Sequence, residues 1–496
     1  MNASADAAVL AFDIGTSSSR AVLYDAQSGE AIPGAIHSVH HEQASTPDGG
    51  ATLDADALVS EAVACAHALL GKGRPPIAAV AVSTFWHSFV GVDANGKART
   101  PVLLWSDRRS RPQVERLREN LDGNTYTQRT GCPLHTSYLP GRLRWLAETD
   151  RATFDACARF VSPGEYLFAQ VFGLERVTCS VSMASATGLL DQAKGAWDVE
   201  TLAQIPGLSP ERFSRISDES VQGNVRAPFK DDLAALADVP WFPAYGDGAC
   251  SNLGCGATLP GRLALMIGTS GALRVVVPPH AGNTPPPVPP GLWRYQADAR
   301  RFLLGGALSN GGIVWDWLTD TLKLPQLSPT EMDRALAVLP PDGHGLTILP
   351  FLNGERAPSW RDDARAVIVG LTTAARPLDL ARAHLEAVAF RFAAVRERLR
   401  SVAPFGDLIG SGGGLHASPA WTQILSDALG EPILVSREEQ ASSRGAALLV
   451  RERLGLGAVE DAPLAVERRF EPDAARTEIY RKARARQEAL EARLGS

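Results

Sequence analysis

Residues Leu10–Leu23 read LAFDIGTSSSRAVL, and the predicted fold depends on this stretch. An apolar run stops at Asp13, the chain turns at Gly15, and a second apolar run begins at Ala21. This pattern predicts a strand, a tight loop and a second strand. The simplest alternative is an ordinary hairpin whose polar turn has no further role.

The loop between the two strands carries groups that suit an anion. Gly15 lets the backbone turn sharply, so several N–H groups and hydroxyls can point at one ligand. The hydroxyls are those of Thr16, Ser17 and Ser18. Asp13, at the strand end, could hold the Mg²⁺ that accompanies a nucleotide phosphate.

A second copy of the loop favours the phosphate interpretation over the plain hairpin. Ile267-Gly268-Thr269-Ser270 repeats the letters of Ile14-Gly15-Thr16-Ser17, again after an apolar run and before a predicted strand. Two such hairpins, one in each half of the chain, suggest two related domains that face a shared nucleotide.

Length and composition fit this interpretation. A chain of 496 residues is too long for one compact core, so we expect two domains and a tail, divided as 1–252, 253–456 and 457–496. Hydrophobic residues make up 45% and charged residues 21%, as in soluble globular proteins. The net charge of −6 argues against general nucleic-acid binding, and no apolar run approaches membrane-spanning length.

The N-terminus and the cysteines lead us to expect a cytoplasmic protein. The sequence MNASADAAVLAFD lacks the basic start and long apolar core of a signal peptide. The six cysteines are scattered without a disulfide framework, and Cys250 and Cys255 lack nearby partners for zinc. We therefore predict reduced thiols.

Three histidines, His37, His40 and His41, follow the first hairpin. A histidine-rich tract can bind a metal, but no cluster of carboxylates accompanies this one. The sequence favours a solvated surface.

A candidate substrate pocket follows the predicted strand at residues 77–83. Trp86 and His87 come at the end of this strand, where α/β proteins usually bind ligands. Aromatic faces stack on carbon chains, and histidine both donates to and accepts from hydroxyls. The alternative is a packed tryptophan beside a satisfied core histidine. Asp107 lies in a later polar cluster that could also be near the substrate.

The segment 91–98 is nearly a P-loop but lacks its defining hydroxyl. Ala98 stands where that motif needs Ser or Thr to bind Mg²⁺. Asn95-Gly96 between two apolar runs instead predicts a two-residue hairpin turn.

Asp247 is flanked by Gly246 and Gly248, which allow its backbone to approach a ligand closely. Asp-Gly is more often a simple turn. Near a phosphate hairpin, the carboxylate could instead be a general base for a hydroxyl nucleophile.

The second half contains two glycine-rich turns. One, at 305–317, feeds a predicted helix, and the other, at 409–414, ends a strand before the predicted helix 418–429. Such glycines let a nucleotide lie against the backbone at a helix N-terminus. Long helices are predicted at 54–71, 378–402, 443–454 and 473–493.

Taken together, these motifs resemble the FGGY family of carbohydrate kinases, in family order over residues 8–455. The motifs that carry the resemblance are Asp13–Arg20, Gly246–Gly248, Ile267–Gly271, Gly354–Pro358 and Gly412–Gly414. The resemblance implies an α/β fold with two ribonuclease-H-like domains of the actin and hexokinase ATPase kind. It also implies ATP-dependent phosphorylation of a sugar, polyol or sugar acid in the cleft between the domains.

The resemblance also implies roles for individual residues. Asp247 matches the catalytic base, and Asp13 the acid near Mg²⁺. The cofactor-binding positions are Thr16, Ser17, Ser18 and Arg20 in the first loop, Gly268 and Thr269 in the second, and Gly311, Gly413 and Gly414 around the nucleoside. Trp86, His87, Asp107 and Asp247 match the substrate side.

Within the family, segments such as Trp86-His87-Ser88 and Ser309–Val314 look most like gluconokinase. The leading prediction is therefore phosphorylation of D-gluconate to 6-phospho-D-gluconate. Gluconokinases often carry Met where this chain has Trp86, so a xylulokinase, ribulokinase or polyol kinase stays the alternative, and a silent actin-like sugar sensor is the rival from another class. A gluconate carboxylate needs a cationic partner, for which Arg108, Arg109 and Arg356 are unranked candidates. The resemblance also allows a homodimer.

Overall fold

The computed structural model describes residues 6–71, 73–280, 284–404 and 406–494. Two mixed sheets form the centres of two successive halves of the chain. Each sheet is built around one of the two hairpins that the sequence repeats.

The first sheet has five strands. The hairpin strands Ala8–Ile14 and Ser18–Asp25 pair antiparallel, and Ala31–His40 adds antiparallel to the second of them. On the other side, Ile77–Thr84 pairs parallel with the first strand and Tyr245–Gly246 pairs parallel with Ile77–Thr84.

The second sheet repeats this arrangement with an extra strand at each edge. Its hairpin is Leu263–Ile267 with Gly271–Val277, followed on one side by Arg301–Leu308 and Trp293–Asp298, both antiparallel. On the other side, Leu408–Ser411 and Ile433–Ser436 are parallel and Val466–Phe470 is antiparallel.

When the two extra edge strands of the second sheet are left out and the others are numbered along the chain, both sheets have the strand order 3-2-1-4-5. In each sheet only strand 2 is antiparallel to the rest. This is the ribonuclease-H arrangement, and the predicted fold class is confirmed. Parallel strands end at the same sheet edge, so the segments after the first, fourth and fifth strands meet there.

Helices cover the sheets and lie close to the predicted positions. The helix predicted at 54–71 is Ala55–His67, capped by the Asp54 carboxylate, which accepts from the Ala57 N–H at 2.8 Å. The helices in chain order are Ala55–His67, Arg111–Asn120, Gly123–Thr130, Leu139–Thr149, Arg151–Ala156, Pro163–Phe172, Val181–Ser185, Val199–Leu202, Asp247–Gly254, Ile313–Thr321, Pro329–Ala337, Pro377–Leu399, Gly413–Ala417, Pro419–Leu429, Ala441–Arg453 and Ala474–Leu494.

Short strands lie outside the two main sheets. They are Ala44–Ser45, Ala51–Leu53, Val90–Val92, Val102–Leu103, Arg159–Val161, Thr178–Cys179, Leu190–Asp191, Ala196–Trp197, Arg215–Ile216, Thr347–Leu349 and Val367–Val369. Val92 bridges to Ala98, so the near-P-loop is a hairpin as predicted. Its turn is longer than the two residues predicted, because the Asp93 N–H donates to the Lys97 carbonyl.

The two halves join through crossed helices. Ala441–Arg453, from the second half, packs on Asp247–Gly254 and on the first sheet. The helices touch at glycines: a Cβ on Gly445 would lie 1.9 Å from the Cys250 carbonyl oxygen. This close backbone contact fixes the start of helix Asp247–Gly254, and hence Asp247, relative to the second half.

All six cysteines are buried and free. In the described part of the chain, no helix is both long and apolar enough to cross a bilayer.

Candidate active site

A cavity of about 320 Å³ lies between the two halves of the molecule. The first half contributes the end of its first strand, with Asp13, and the segments that follow its fourth and fifth strands, with His87 and Asp247. The second half contributes its own hairpin and the loop that contains Arg356. The strand order therefore brings residues that are more than 200 positions apart in sequence into one site.

Asp247 begins helix Asp247–Gly254 directly after the strand Tyr245–Gly246. The Gly248 N–H donates to its Oδ1 at 2.7 Å. Burial raises the pKa of this carboxyl, while the nearby Arg274 guanidinium opposes the rise. A buried carboxylate with a raised pKa is a better proton acceptor than an exposed one.

Asp13 lies beside Asp247 on the same cavity wall. Burial raises the pKa of Asp13 to about 6; Arg20 lowers it and the charge of Asp247 raises it further. The Arg20 Nε lies 3.8 Å from Oδ2 of Asp13. A largely buried carboxylate whose charge is only partly offset by one nearby cation is a donor that fits Mg²⁺.

The first hairpin turn follows Asp13 directly in the chain, and Thr16, Ser17 and Ser18 are not among the residues that line either cavity. The Gly15 N–H donates to the Ser18 carbonyl at 2.9 Å and closes the turn. Arg20 donates to the Ser18 hydroxyl at 2.8 Å and to Gln440 of the second half at 3.0 Å. The turn that holds Thr16, Ser17 and Ser18 is thus tied to both halves.

The second hairpin turn is supported by a glycine turn from the next part of the chain. The Gly312 N–H donates to the Gly268 carbonyl at 2.7 Å, and the Gly311 and Ile313 N–H groups donate to the Thr269 carbonyl. A Cβ on Gly311 would lie 2.4 Å from the Ser270 carbonyl oxygen, so this close contact requires glycine.

A second cavity, of about 610 Å³, opens next to the second hairpin. Gly268, Thr269, Gly413 and Gly414 line it, together with the rings of Trp315 and Trp421 among other side chains. The predicted nucleotide-side glycines therefore lie together, with Gly311 packed behind Ser270.

Aromatic rings form the other end of the interdomain cavity. Trp86 is packed against Gly246 and Gly248, and its indole N–H donates to the Ser182 carbonyl at 3.1 Å. The hydroxyls of Tyr138 and Tyr295, one from each half, share a hydrogen bond of 2.6 Å. Both tyrosine rings contact the ring of His87, at 5.0 and 5.2 Å between centroids.

His87 has a positive φ of 60°, and its Nδ1 lies 2.5 Å from the Ala186 carbonyl. Nδ1 must therefore carry the proton, which leaves Nε2 as an acceptor in the neutral ring. Burial lowers the pKa of His87 to about 3, with the cations Arg356 and Arg142 adding to the effect. A neutral ring with an acceptor nitrogen, on the wall of the cavity, suits a sugar hydroxyl.

Two buried arginines face the cavity. Arg356 stacks over the ring of Trp105 at 4.7 Å and donates to the Leu308 carbonyl at 2.8 Å. Burial lowers its pKa to about 10. In the described part of the chain, its Nε has no hydrogen-bond partner and no carboxylate pairs with it. Arg274 likewise has Nε and one terminal nitrogen without partners there, and the neighbouring charge of Asp247 partly offsets its burial.

The other arginine candidates are engaged elsewhere. Arg109 forms an ion pair with Asp107 at 2.6 Å and stacks on Trp145 at 4.2 Å. Arg108 donates to the Asn353 carbonyl at 2.5 Å. Neither is among the residues that line the interdomain cavity.

Asp107 is fully buried, and its carboxylate also accepts from the Ala51 N–H at 3.2 Å. It lies outside the cavity wall, so the structure does not support the predicted direct contact with substrate. The contacts with Arg109 and the Ala51 N–H hold the loop that carries Trp105, so the role of this carboxylate is structural. The fully satisfied carboxylate has no capacity left for a ligand.

Sequence reasoning missed Arg274, Tyr138, Tyr295 and Trp360, which all line the cavity. Arg274 and Tyr295 lie inside strands, where their letters read as part of a pattern rather than as a site. One signal was available: an arginine in the otherwise apolar run GALRVVV requires a buried partner or ligand.

Comparison with known proteins agrees with this geometry. Residues 8–254 match the N-terminal domain of the FGGY family of carbohydrate kinases, and residues 263–450 match the C-terminal domain. A gluconokinase from Bacillus subtilis is 28% identical over 89% of this chain and 86% of its own length. A xylulose kinase from Streptomyces rubiginosus is 30% identical over 95% of this chain and 92% of its own length.

A solved structure of gluconate kinase from Lactobacillus acidophilus superposes with a TM-score of 0.90 at 25% identity, covering 99% of this chain and 98% of that one. A ligand-bound xylulose kinase from the same organism has the same values. The matches span both halves in order, so the chain belongs to the FGGY family of carbohydrate kinases, ATP-dependent phosphotransferases that act on hydroxyl groups.

Proposed function

We propose that this kinase phosphorylates a sugar acid, most specifically D-gluconate at its terminal hydroxyl. The observation that carries the proposal is Arg356, a buried guanidinium that faces the cavity without a carboxylate partner in the described chain. A buried cation is costly unless an anion compensates it. A gluconate carboxylate supplies that anion, whereas a neutral ketose or polyol does not.

We place the substrate with its carboxylate at Arg356 and its terminal hydroxyl at Asp247. Arg274 and Arg356 both face the cavity and both lower the pKa of Asp247, but Arg274 has the larger effect. Arg356 is therefore the cation left for the ligand. His87 and the tyrosine pair Tyr138–Tyr295 lie along the same cavity, where they can bind the hydroxyls between the two ends.

In the chemical step, Asp247 accepts the proton of the terminal hydroxyl. The hydroxyl oxygen forms its bond to the γ-phosphorus of ATP as the bond from that phosphorus to the departing ADP oxygen breaks. Burial of Asp247 raises its pKa and so its affinity for this proton. Arg274, beside it, lowers the pKa of this carboxyl and so favours its ionised form before the transfer.

Asp13 and the two hairpins serve the phosphates. A bound Mg²⁺ would offset the charge of the triphosphate. Asp13 would hold this ion, directly or through water, and its neighbour Arg20 ties the first hairpin to the second half. The hydroxyls and N–H groups of Thr16, Ser17, Ser18 and Thr269 would bind phosphate oxygens.

The second cavity would bind the nucleoside. Gly413 begins the helix Gly413–Ala417, and a Cβ on Gly413 would meet nothing within 4 Å. The backbone there is open to a flat ligand. Trp315 and Trp421 line the same cavity and offer apolar surface to a base.

The second candidate is a ketose or polyol kinase of the same family. The xylulose kinase match covers slightly more of the chain, at slightly higher identity, than the gluconokinase match. Relatives named glycerol kinase are similar to a comparable degree. The unpaired Arg356 favours the sugar acid over both.

The test is ADP release with Mg-ATP over D-gluconate, D-xylulose, L-ribulose and glycerol. We expect a clear preference for gluconate. The variant Arg356→Gln should raise KM for gluconate about tenfold or more, because a charge-assisted hydrogen bond contributes about 1.5–3 kcal/mol. A preference for a neutral substrate in the wild type would overturn the sugar-acid assignment.

A further inference from the structure

The segment that follows the third strand holds all three carbonyls of the first phosphate turn. The His41 ring lies with Nε2 at 3.0 Å from the Gly15 carbonyl oxygen. The Gln43 side chain donates to the Thr16 carbonyl at 3.1 Å, and the His41 N–H donates to the Ser17 carbonyl at 3.0 Å. The histidine was predicted to lie on a solvated surface with His37 and His40. That prediction is wrong for His41, whose side chain is only 7% exposed.

Peptide geometry links these contacts to the phosphate. In a trans peptide, the C=O of one residue and the N–H of the next point in opposite directions. Fixing the carbonyls of Gly15, Thr16 and Ser17 on the His41 side therefore turns the N–H groups of Thr16, Ser17 and Ser18 away from it. Each of the three contacts thus directs one N–H group of the turn away from the partner that holds its peptide carbonyl.

Glu61 completes the support from helix Ala55–His67. Its Oε2 lies 2.9 Å from Nδ1 of His41. Both ring nitrogens thus have a polar partner, the Glu61 carboxylate on one side and the Gly15 carbonyl on the other, and the two contacts together fix the plane of the ring.

We propose that His41, oriented by Glu61, is a positioning residue that holds the first hairpin turn in the conformation that binds the ATP phosphates. It touches neither substrate, and it acts through the backbone of Gly15–Ser17. The inference rests on the assignment of this turn to the phosphates, and it does not depend on which sugar is the acceptor.

The test compares His41→Leu, His41→Gln and Glu61→Gln, with His37→Ala, an exposed histidine on the strand just before His41, as the matched control. Leucine fills the space without a donor, whereas glutamine keeps one donor for the Gly15 carbonyl. The readouts are MgATP affinity by titration calorimetry and the KM values for ATP and for the sugar, with thermal unfolding as the folding control.

We expect His41→Leu to weaken MgATP binding and raise KM for ATP about tenfold, the cost of one or two lost hydrogen bonds, while KM for the sugar stays within about twofold. His41→Gln should recover part of the loss, Glu61→Gln should lose less than His41→Leu, and His37→Ala should match the wild type.

Unchanged MgATP affinity in folded His41→Leu would overturn the proposal. An equal rise in the KM values for ATP and for the sugar would overturn it as well. If His41→Leu does not fold, His41→Gln and Glu61→Gln decide by the same criteria. A wild type that binds MgATP but prefers a neutral sugar would contradict the sugar-acid assignment alone, because the calorimetric comparison needs no sugar.

Discussion

The two hairpin turns have the same four letters but different supports. The carbonyls of Gly15 and Thr16 accept from the side chains of His41 and Gln43. The carbonyls of Gly268 and Thr269 accept from backbone N–H groups of the glycine turn 311–313. Identical local sequence therefore does not determine how a turn is oriented; the neighbouring segment does.

The residue before each turn differs as well. Asp13 pairs in register with Ser83 on the neighbouring parallel strand, and Met266 occupies the matching position opposite Ser411. Of the two matching positions, only the one in the first half has a carboxylate. Asp247, which lines the same cavity, also belongs to the first half. The two halves therefore differ in what they contribute: Asp13 and the proposed proton acceptor Asp247 belong to the first half, and the cavity proposed for the nucleoside belongs to the second.

The substitution of Asp247 is the strongest test of this difference between the two halves. We expect Asp247→Asn to lower kcat about a thousandfold, because a positioned general base contributes about a hundred- to ten-thousandfold. Affinity for MgATP, measured by titration calorimetry, should stay within about twofold of the wild type. Turnover within about tenfold of the wild type would contradict the assignment of the base.

Asp13→Asn tests whether the cation belongs to the first half alone. We expect kcat/KM for MgATP to fall about a hundredfold, as when one electrostatic contact to a transferring group is lost. The matched control is Met266→Leu, which conserves volume in the other half. Equal losses in the two variants would show that Asp13 contributes only packing.

The comparison also explains what the sequence could predict. The repeated turns and the place of Asp247 between two glycines follow from local patterns, because glycine, hydroxyls and apolar runs have short-range meaning. The fold class followed from the resemblance of these motifs to a known family. The contacts that hold the first turn and tune Asp247 could not be predicted. His41 and Glu61 are 20 residues apart in sequence, and Arg274 acts on Asp247 from the other half of the molecule. Such pairings depend on packing between distant segments.

Asp107 illustrates the same limit. A carboxylate in a polar cluster after a strand resembles a ligand, and only the folded structure shows it consumed by Arg109 and the Ala51 N–H. The three arginines could not be ranked from sequence for the same reason. Arg356 is distinguished by the partner it lacks in the described structure, and no sequence pattern encodes that.

Gly311→Ala tests the backbone support of the second turn. The new Cβ would lie 2.4 Å from the Ser270 carbonyl oxygen, so the turn must shift. We expect KM for ATP to rise about tenfold with little change in KM for the sugar, which corresponds to about 1.4 kcal/mol. Gly123→Ala, where a Cβ meets nothing within 4 Å, is the control for a neutral glycine replacement.

If Gly311→Ala and His41→Leu weaken ATP binding alike, the two turns contribute comparably although their supports differ. If only one does, the phosphates depend chiefly on the turn that it supports. Unchanged ATP kinetics in Gly311→Ala would contradict the role of the glycine turn.

The smallest expected effect is a pH dependence of the free energy of unfolding. It requires a group that titrates, which the backbone amides of the second turn do not. His87, in the first half, has its pKa lowered by burial to about 3 from an ordinary value of 6.5. As the pH falls below 6.5, the unfolded chain takes up a proton at this site that the folded chain does not, so the free energy of unfolding decreases toward acid. At pH 5.5 this loss is about 1 kcal/mol. Asparagine tolerates the positive φ at this position. In His87→Asn we therefore expect this contribution to the pH dependence of the free energy of unfolding to disappear. The measurement is denaturant unfolding at pH 7 and pH 5.5. An unchanged slope would mean that the folded ring takes up the proton as readily as the unfolded one, and that the buried His87 is not held neutral in the cavity.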